Sequence, residues 1–294
     1  MPIRLSVLMS VYEEESPACL CECLDSLAMQ TLPADEVVLV EDGPVGETLK
    51  ATIDRYRKIL PIMSLPLPAH VGLGAALRAG LHHCRGEYVA RMDSDDIAAP
   101  ERFEKQMKFL EANPEVDVVG GAIAEFNEDS SAPHSIRTLP VAGAALRHFA
   151  RFRTPMNHVT VIFRKASVLA AGNYEASHCL QDYYLWARML ALGYVLHNLI
   201  EVLVYVRCGN GMQARRSGFA YAKEEIHLQG YLRKLGLLNA PGALLNMVMR
   251  VPIRLAASFV RAFCYRLILR NRPRDLAAGS GKMNQKKLSM AAGT

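Results

Sequence analysis

Three carboxylates, Asp93, Asp95 and Asp96, crowd into the stretch ARMDSDDIAAP at residues 90–100, directly behind the apolar run GEYVARM. Acids this close repel one another unless a cation, a hydrogen-bond donor or a helix terminus takes up the charge. On an extended chain Asp93 and Asp95 project to the same side, about 6 to 7 Å apart. Hard divalent cations such as Mg2+ and Mn2+ prefer oxygen, often one or two carboxylates plus substrate phosphates, and neutralise charge on a departing diphosphate. The competing reading is that Asp95 or Asp96 caps a following helix. By itself D-S-D-D supports both equally.

Two other places carry acids in telling positions. VLVEDGP puts Glu41 and Asp42 at the end of a second apolar run. Carboxylates there accept from a ribose hydroxyl or a base N–H, or else serve an ordinary Asp-Gly turn. QDYYLWARM starts an amphipathic helix with Asp182, and Leu185, Trp186, Met189 and Leu190 make its core face. Asp182 is then left near the cleft, or simply stabilises the helix macrodipole. HVGLGAALRAG lacks the G-x-G-x-x-G spacing and does not follow the first strand, which excludes NAD binding. His70 and Arg78 within it are candidates for phosphate contacts, a plain surface position being the blander reading of His70.

These residues need elements to hold them, and the first 125 residues alternate clearly. IRLSVLMSVY reads as a buried strand, and a helix opens near Ser16-Pro17, a good N-cap and N1 pair. EVVLVEDG is a strand, 47–59 a helix, LPIMSLP a short strand, GLGAALRAGLHHC a helix and GEYVARMD a strand. PERFEKQMKFLEAN is a helix and VDVVGGAIAEF a strand. Such alternation implies a mostly parallel sheet with helices on both faces and ligands at the C-terminal strand ends, where the acids are. Further on, PVAGAALRHFARF reads as a helix, NHVTVIFRK as a strand, and YVLHNL and EVLVYVR as two more strands. From about 217 the pattern is helical, with breaks expected near Pro241 and Pro252.

The 294 residues are 51% hydrophobic and 21% charged, enough for a full core. The net charge of +5 matters less than its distribution, because no acid occurs between Glu225 and Asp275 while nine arginines and lysines do. That block suggests an anionic partner surface, either membrane or polyphosphate. At helical pitch Arg250, Arg254 and Arg261 share one face, with Leu255, Phe259 and Phe263 roughly opposite. An interfacial helix over 250–274 is therefore expected against anionic membrane, a helix packed on the domain being the rival. The seven cysteines lack zinc spacing and read as reduced, structural thiols. The N-terminal apolar run meets glutamates rather than a small-residue cleavage site, and no stretch approaches the ~20 apolar residues of a membrane span.

Taken in order, MSVYEEE, VLVEDGP, HVGLGAALRAG, GEYVARMDSDD, NHVTVIFRK and QDYYLWARM resemble the motifs of inverting family 2 glycosyltransferases of the GT-A fold. Each motif is weak, but six in the right order over about 5–216 are specific. The resemblance implies a Rossmann-like α/β fold with a mixed, mostly parallel sheet and a C-terminal helical extension. The expected divisions are a GT-A domain over 1–216, a helical, membrane-associating segment over 217–274, and a disordered tail over 275–294.

The resemblance also implies roles. Ser10, Val11, Tyr12 and Glu13 line the nucleotide pocket with His70, Gly72, Arg78 and Ser94, and Asp42 or Glu41 reads the uracil. Asp93 contacts ribose or metal, Asp95 holds Mn2+ or Mg2+ on the diphosphate, and Asp182 is the general base on the acceptor hydroxyl. Arg215 and Arg216 close over the diphosphate, although as residues they read equally as a solvated basic turn. His70, Arg78, Val159, Gln181 and Tyr184 depart from the usual motif residues, and none of these changes removes the metal ligand or the base. The implied activity is inverting transfer from a nucleotide-sugar, a UDP-sugar, to a saccharide or lipid-linked saccharide, by a hexosyl- or N-acetylhexosaminyltransferase. No nucleic acid is expected as partner. The family setting is cell-surface polysaccharide or lipopolysaccharide assembly, with the protein cytoplasmic and peripheral on the inner face of a bacterial plasma membrane. The alternative is an inactive nucleotide-sugar binder or membrane-docked assembly partner, against which the presence of both Asp95 and Asp182 argues. A nucleotidyltransferase is set aside because no glycine-rich, lysine-bearing phosphate loop follows the first strand.

Overall fold

Burial on both faces of the first strands sets the architecture. The computed structural model describes residues 4–175, 179–208 and 218–255. Strand β1 (Leu5–Val11) is followed by α1 (Pro17–Ala28), β2 (Glu36–Glu41), α2 (Glu47–Tyr56), β3 (Ile62–Pro66), α3 (Leu73–His83) and β4 (Tyr88–Arg91). These four strands are parallel, in the spatial order β3-β2-β1-β4. Val7, Met9, Val37 and Leu39 point to one face, where α1, α2 and α4 (Arg102–Ala112) cover them. Leu8, Val38, Val40 and Val89 point to the other, under α3 and α7 (Gln181–Ala191). Strands covered on both faces read as continuous apolar runs, which is why they were legible. Helix α3 lies so close to the sheet that a Cβ on Gly80 would stand 2.6 Å from both Leu8 and Val40 side chains.

The second half of the sheet is mixed. Strand β8 (Ile162–Arg164) runs antiparallel to both β4 and β6 (Val118–Phe126), and β9 (Leu196–Arg207) runs parallel to β6. The two-residue strand β5 (Ile97–Ala98) closes the far edge against β9, and β7 (Ser135–Arg137) pairs with β6. Helices α5 (Gly143–Phe149) and α6 (Lys165–Ala170) fill the connections. Several expectations are corrected here. NHVTVIFRK is not one strand: a 3-10 turn at His158–Thr160 precedes β8. YVLHNL and EVLVYVR are a single strand, β9, whose register against β6 shifts between Gly120 and Ile123. Asp96 caps no helix, because it precedes β5 and α4 starts only at Arg102.

Beyond residue 217, α8 (Phe219–Lys234) and α9 (Ala240–Leu255) stack on α7 through Tyr183, Tyr184, Ala187, Leu228, Leu232, Leu238 and Ala243. Pro241 marks a helix start as expected, whereas Pro252 lies inside α9 instead of breaking it. Arg250, expected on a membrane-facing stripe, turns inward. It pairs at 3.0 Å with the fully buried Glu225 and donates to the Phe152 carbonyl (2.8 Å). The rest of the expected interfacial segment, from 256 to 274, and the tail to 294 lie outside the described residues. Stranding a buried carboxylate is costly, so Arg250→Ala is expected to lower the unfolding free energy by about 3 kcal/mol. Adding Glu225→Gln should recover most of that loss in urea titrations, as removing the unpaired charge demands.

Candidate active site

The C-terminal ends of β1, β2 and β4 lie side by side, and they carry the residues singled out above. Ser10 and Val11 end β1, and Tyr12 and the exposed Glu13 follow it. Tyr12 faces His70 with ring centroids 5.7 Å apart, making an aromatic wall at the strand ends. Asp42 is buried just past β2, and its carboxylate is already engaged. The Val71 and Gly72 N–H groups donate to its two oxygens (2.7 and 3.0 Å), and His70 Nδ1 lies 3.0 Å from Oδ2. Asp42 thus holds the entrance of α3, where Gly72 adopts φ +86°, a conformation that favours glycine. Glu41 is half-buried, and its carbonyl accepts from Leu67 (2.9 Å). Arg78, on α3, donates to the Tyr174 carbonyl (3.1 Å).

The acid loop is built around buried cations. Arg91, the last residue of β4, is buried and forms an ion pair with the half-buried Asp93. Ser94 and Asp96 are buried and Asp95 half-buried. Asp96 accepts the Arg207 N–H (2.9 Å), while Arg207 Nε donates to the Asp95 carbonyl (3.3 Å). Burial, with Asp93 and Asp95 adding to it, pushes the Asp96 carboxyl well above its ordinary range. The half-buried Asp93 and Asp95 present carboxylate oxygens at the strand end beside it. That donor set suits a hard divalent cation, with Asp95 and Asp93 as the residues that would hold it.

Asp182 sits in the first turn of α7, where Thr154 Oγ1 donates to it (3.2 Å). The helix starts from Leu180 in a left-handed conformation (φ +61°), a strained position for a branched side chain. The acid loop and Asp182 share one electrostatic neighbourhood. The buried Tyr174 phenol is raised first by desolvation, Arg91 works against that shift, and Asp182 and Asp93 both add to it. Asp93, Arg91 and Asp182 thus all act electrostatically on the buried Tyr174, and the Tyr12–His70 wall lies on the neighbouring strand ends, where an open α/β sheet forms its cleft. Arg215 and Arg216 lie outside the described residues.

Sequence reasoning missed the residues that support this cleft. Cys23 on α1 donates from Sγ to the Asp93 carbonyl (3.2 Å). Arg102 donates to the Arg91 carbonyl (2.8 Å), and Gln106 ties the Val119 and Thr160 carbonyls together (2.9 and 2.8 Å). Burial, with Arg91 nearby, pushes the Arg102 guanidinium down to about 9. Their only sequence signal was a cysteine, an arginine and a glutamine on the apolar faces of α1 and α4.

The sequence profile described as Glycosyl transferase family 2 matches residues 6–172. The chain belongs to that family. Among its relatives within the glycosyltransferases is the amylovoran biosynthesis glycosyltransferase AmsE of Erwinia amylovora. It is 47% identical over 232 residues, covering 79% of this chain and 86% of that protein. A UDP-Gal:alpha-D-GlcNAc-diphosphoundecaprenol beta-1,3-galactosyltransferase of Escherichia coli is 33% identical over 267 residues, covering 91% and 97%. Among solved structures, S. aureus TarS 1-349 in complex with UDP-GlcNAc superposes with a TM-score of 0.63 at 21% identity, over 78% of this chain and 66% of that one. The mannosyltransferase PcManGT of Pyrobaculum calidifontis, in complex with GDP-Man and Mn2+, gives 0.62 at 18% identity, over 96% and 80%. At such identities these structures establish the fold, the GT-A α/β architecture expected from the sequence.

His158, from the glycosyltransferase motif NHVT, stands behind the cleft against Trp186 and 3.0 Å from the Tyr174 hydroxyl. Burial, reinforced by Arg91, pushes its imidazole well below the ordinary 6.5. The unfolded chain takes up this proton near 6.5 while the folded protein resists it. Stability from this position is therefore complete above 6.5 and is lost progressively as the pH falls toward the folded value. His158→Gln is expected to flatten that part of the curve in urea unfolding followed between about pH 5 and 7.5.

Proposed function

We propose that this glycosyltransferase moves a sugar with inversion from a UDP-sugar to a saccharide or lipid-linked saccharide, as a hexosyl- or N-acetylhexosaminyltransferase of cell-surface polysaccharide assembly. The observation that supports the reading is that Asp182, at the start of α7, and Asp93, in the acid loop, both act on the buried Tyr174 between the sheet and α7. A single displacement needs a proton acceptor on one side of the anomeric carbon and charge neutralisation on the other. Asp182 accepts the proton of the attacking hydroxyl, and Thr154, hydrogen-bonded to it, orients the carboxylate. The Tyr12–His70 wall flanks the base and ribose, Asp42 keeps that wall in place through His70, and Ser10, Val11, Glu13, Glu41, Gly72, Arg78 and Ser94 frame the nucleotide. Asp95 and Asp93 would hold a divalent cation, Mn2+ or Mg2+, which would supply charge neutralisation for the departing diphosphate. Arg91 fixes Asp93, and Arg207 fixes the backbone that carries Asp95.

The relatives support donor and acceptor class: one is named for UDP-Gal and a diphosphoundecaprenol-linked acceptor, and a structural neighbour holds UDP-GlcNAc. A lipid-linked acceptor calls for a peripheral position on the inner face of the plasma membrane. Among the described residues no helix is long and apolar enough to cross a membrane. Helix α9 nevertheless exposes Leu244 (60%), Leu245 (53%) and Val248 (63%) at helical spacing. That apolar stripe leads into the acid-free, arginine-rich segment ending at 274, a combination suited to an anionic lipid surface.

Asp182→Asn is expected to reduce transfer by ~10²–10⁴-fold while UDP affinity is unchanged, measured by turnover with lipid extract as acceptor and by calorimetry. Lost donor affinity in that variant would remove Asp182 from the role of base. Asp95→Ala is expected to weaken UDP binding in Mn2+ and leave the metal-free value alone. Equal affinities with and without Mn2+ in the parent protein would overturn the metal assignment.

A further inference from the structure

A second set of potential ligands lies at the edge of the sheet, apart from Asp95 and its loop. Glu125 is the penultimate residue of β6, His134 immediately precedes β7, and Cys208 immediately follows β9. One ligand atom from each lies within 4.8 Å of the other two. Strand pairing produces this convergence. Glu125 sits opposite Ser135 on one side and Val206 on the other. The main chain then pins all three: the His134 N–H donates to the Glu125 carbonyl (2.8 Å), and the Cys208 N–H donates to the Phe126 carbonyl (2.7 Å). Ser135 Oγ donates to Glu125 Oε2 and so orients the carboxylate. Glu125 is buried, Cys208 half-buried and His134 exposed, which gives a graded path from solvent to the innermost oxygen.

We propose that Glu125, His134 and Cys208 bind a borderline transition-metal cation, with Zn2+ the best match. One thiolate, one imidazole and one carboxylate are a donor set for zinc, which is commonly held by three protein ligands and a water. The thiolate discriminates against Mg2+ and Mn2+, which favour oxygen, so this site and the acid loop differ in metal preference. Zn2+ displaces the thiol proton of Cys208 to solvent; with the Glu125 carboxylate and a neutral His134 the assembled site carries no net charge. The cation ties the end of β9 to the β6–β7 hairpin. Arg207, one residue before Cys208, is the residue that holds Asp96 and the Asp95 carbonyl. Occupancy therefore stiffens the support of the acid loop without entering it.

The full chain, stripped with chelator, is titrated with Co2+ and with Zn2+. One Zn2+ per chain is expected by calorimetry, and Co2+ should give a thiolate-to-cobalt charge-transfer band. Cys208→Ser should abolish that band although the other cysteines remain. His134→Ala, a truncation at an exposed position that leaves the core intact, should weaken Zn2+ binding at least about tenfold. Asp95→Asn should leave Zn2+ affinity unchanged, which separates this site from the one proposed for the donor diphosphate. A band that persists in Cys208→Ser, wild-type Zn2+ affinity in His134→Ala, or no stoichiometric Zn2+ binding by the parent chain would overturn the proposal.

Discussion

Three carboxylates within four residues can share a loop only if the fold delivers positive charge and N–H donors to them. Here the charge comes from Arg91, on the strand that feeds the loop, and the donors come from Arg207 at the end of β9, more than a hundred residues later in the chain, whose own guanidinium pairs with Glu22. Arg91 is itself buried, which is tolerable only because Asp93 answers its charge. Behind it, Arg102 and Gln106 use backbone carbonyls of β4, β6 and the 3-10 turn to complete a polar layer inside an apolar core. The loop, the mixed half of the sheet and α4 therefore stand or fall together.

The placement of the cleft follows from the strand order. In β3-β2-β1-β4 the chain starts at β1, grows outward through β2 and β3, then crosses to the other side of β1 for β4. Connections leave in opposite directions on either side of β1, and a crevice opens at its C-terminal end. Tyr12, Asp42 and Asp93 are each within two residues of one of these strand ends. Helix α7, which carries Asp182, has its position set by Leu185, Trp186 and Met189 packing under the sheet. Asp182 is thereby aimed by an apolar interface, with Leu180 holding an unfavourable backbone angle at the entry to the helix.

The C-terminal helices continue the same logic outward. Tyr183 and Tyr184 give α7 a second apolar face, and α8 and α9 cover it. Glu225 and Arg250 close that layer as a buried pair. An arginine counted along a helix as a surface charge is here part of the interior, because periodicity tells which residues share a face and not what that face meets. The remaining exposed side of α9, with Leu244, Leu245 and Val248, is apolar, the reverse of the arginine stripe expected at Arg250.

What the sequence determined by itself was the alternating half of the fold, the order of its motifs and the candidate acids. Buried parallel strands must be apolar on both faces, and glycines and acids must gather where such strands end, so those features are written locally. The tertiary structure alone decided the rest. NHVTVIFRK broke into a turn and a short antiparallel strand because β8 has to fit between β4 and β6. Asp96 received a strand-end N–H from Arg207 in place of the helix cap expected of it, and Asp42 was committed to the entrance of α3. Cys23 and Arg207 gained meaning only from partners far away in the chain. Local pattern reports the free energy of burying a face, whereas the pairing of charges depends on which distant elements the sheet brings within a few ångströms.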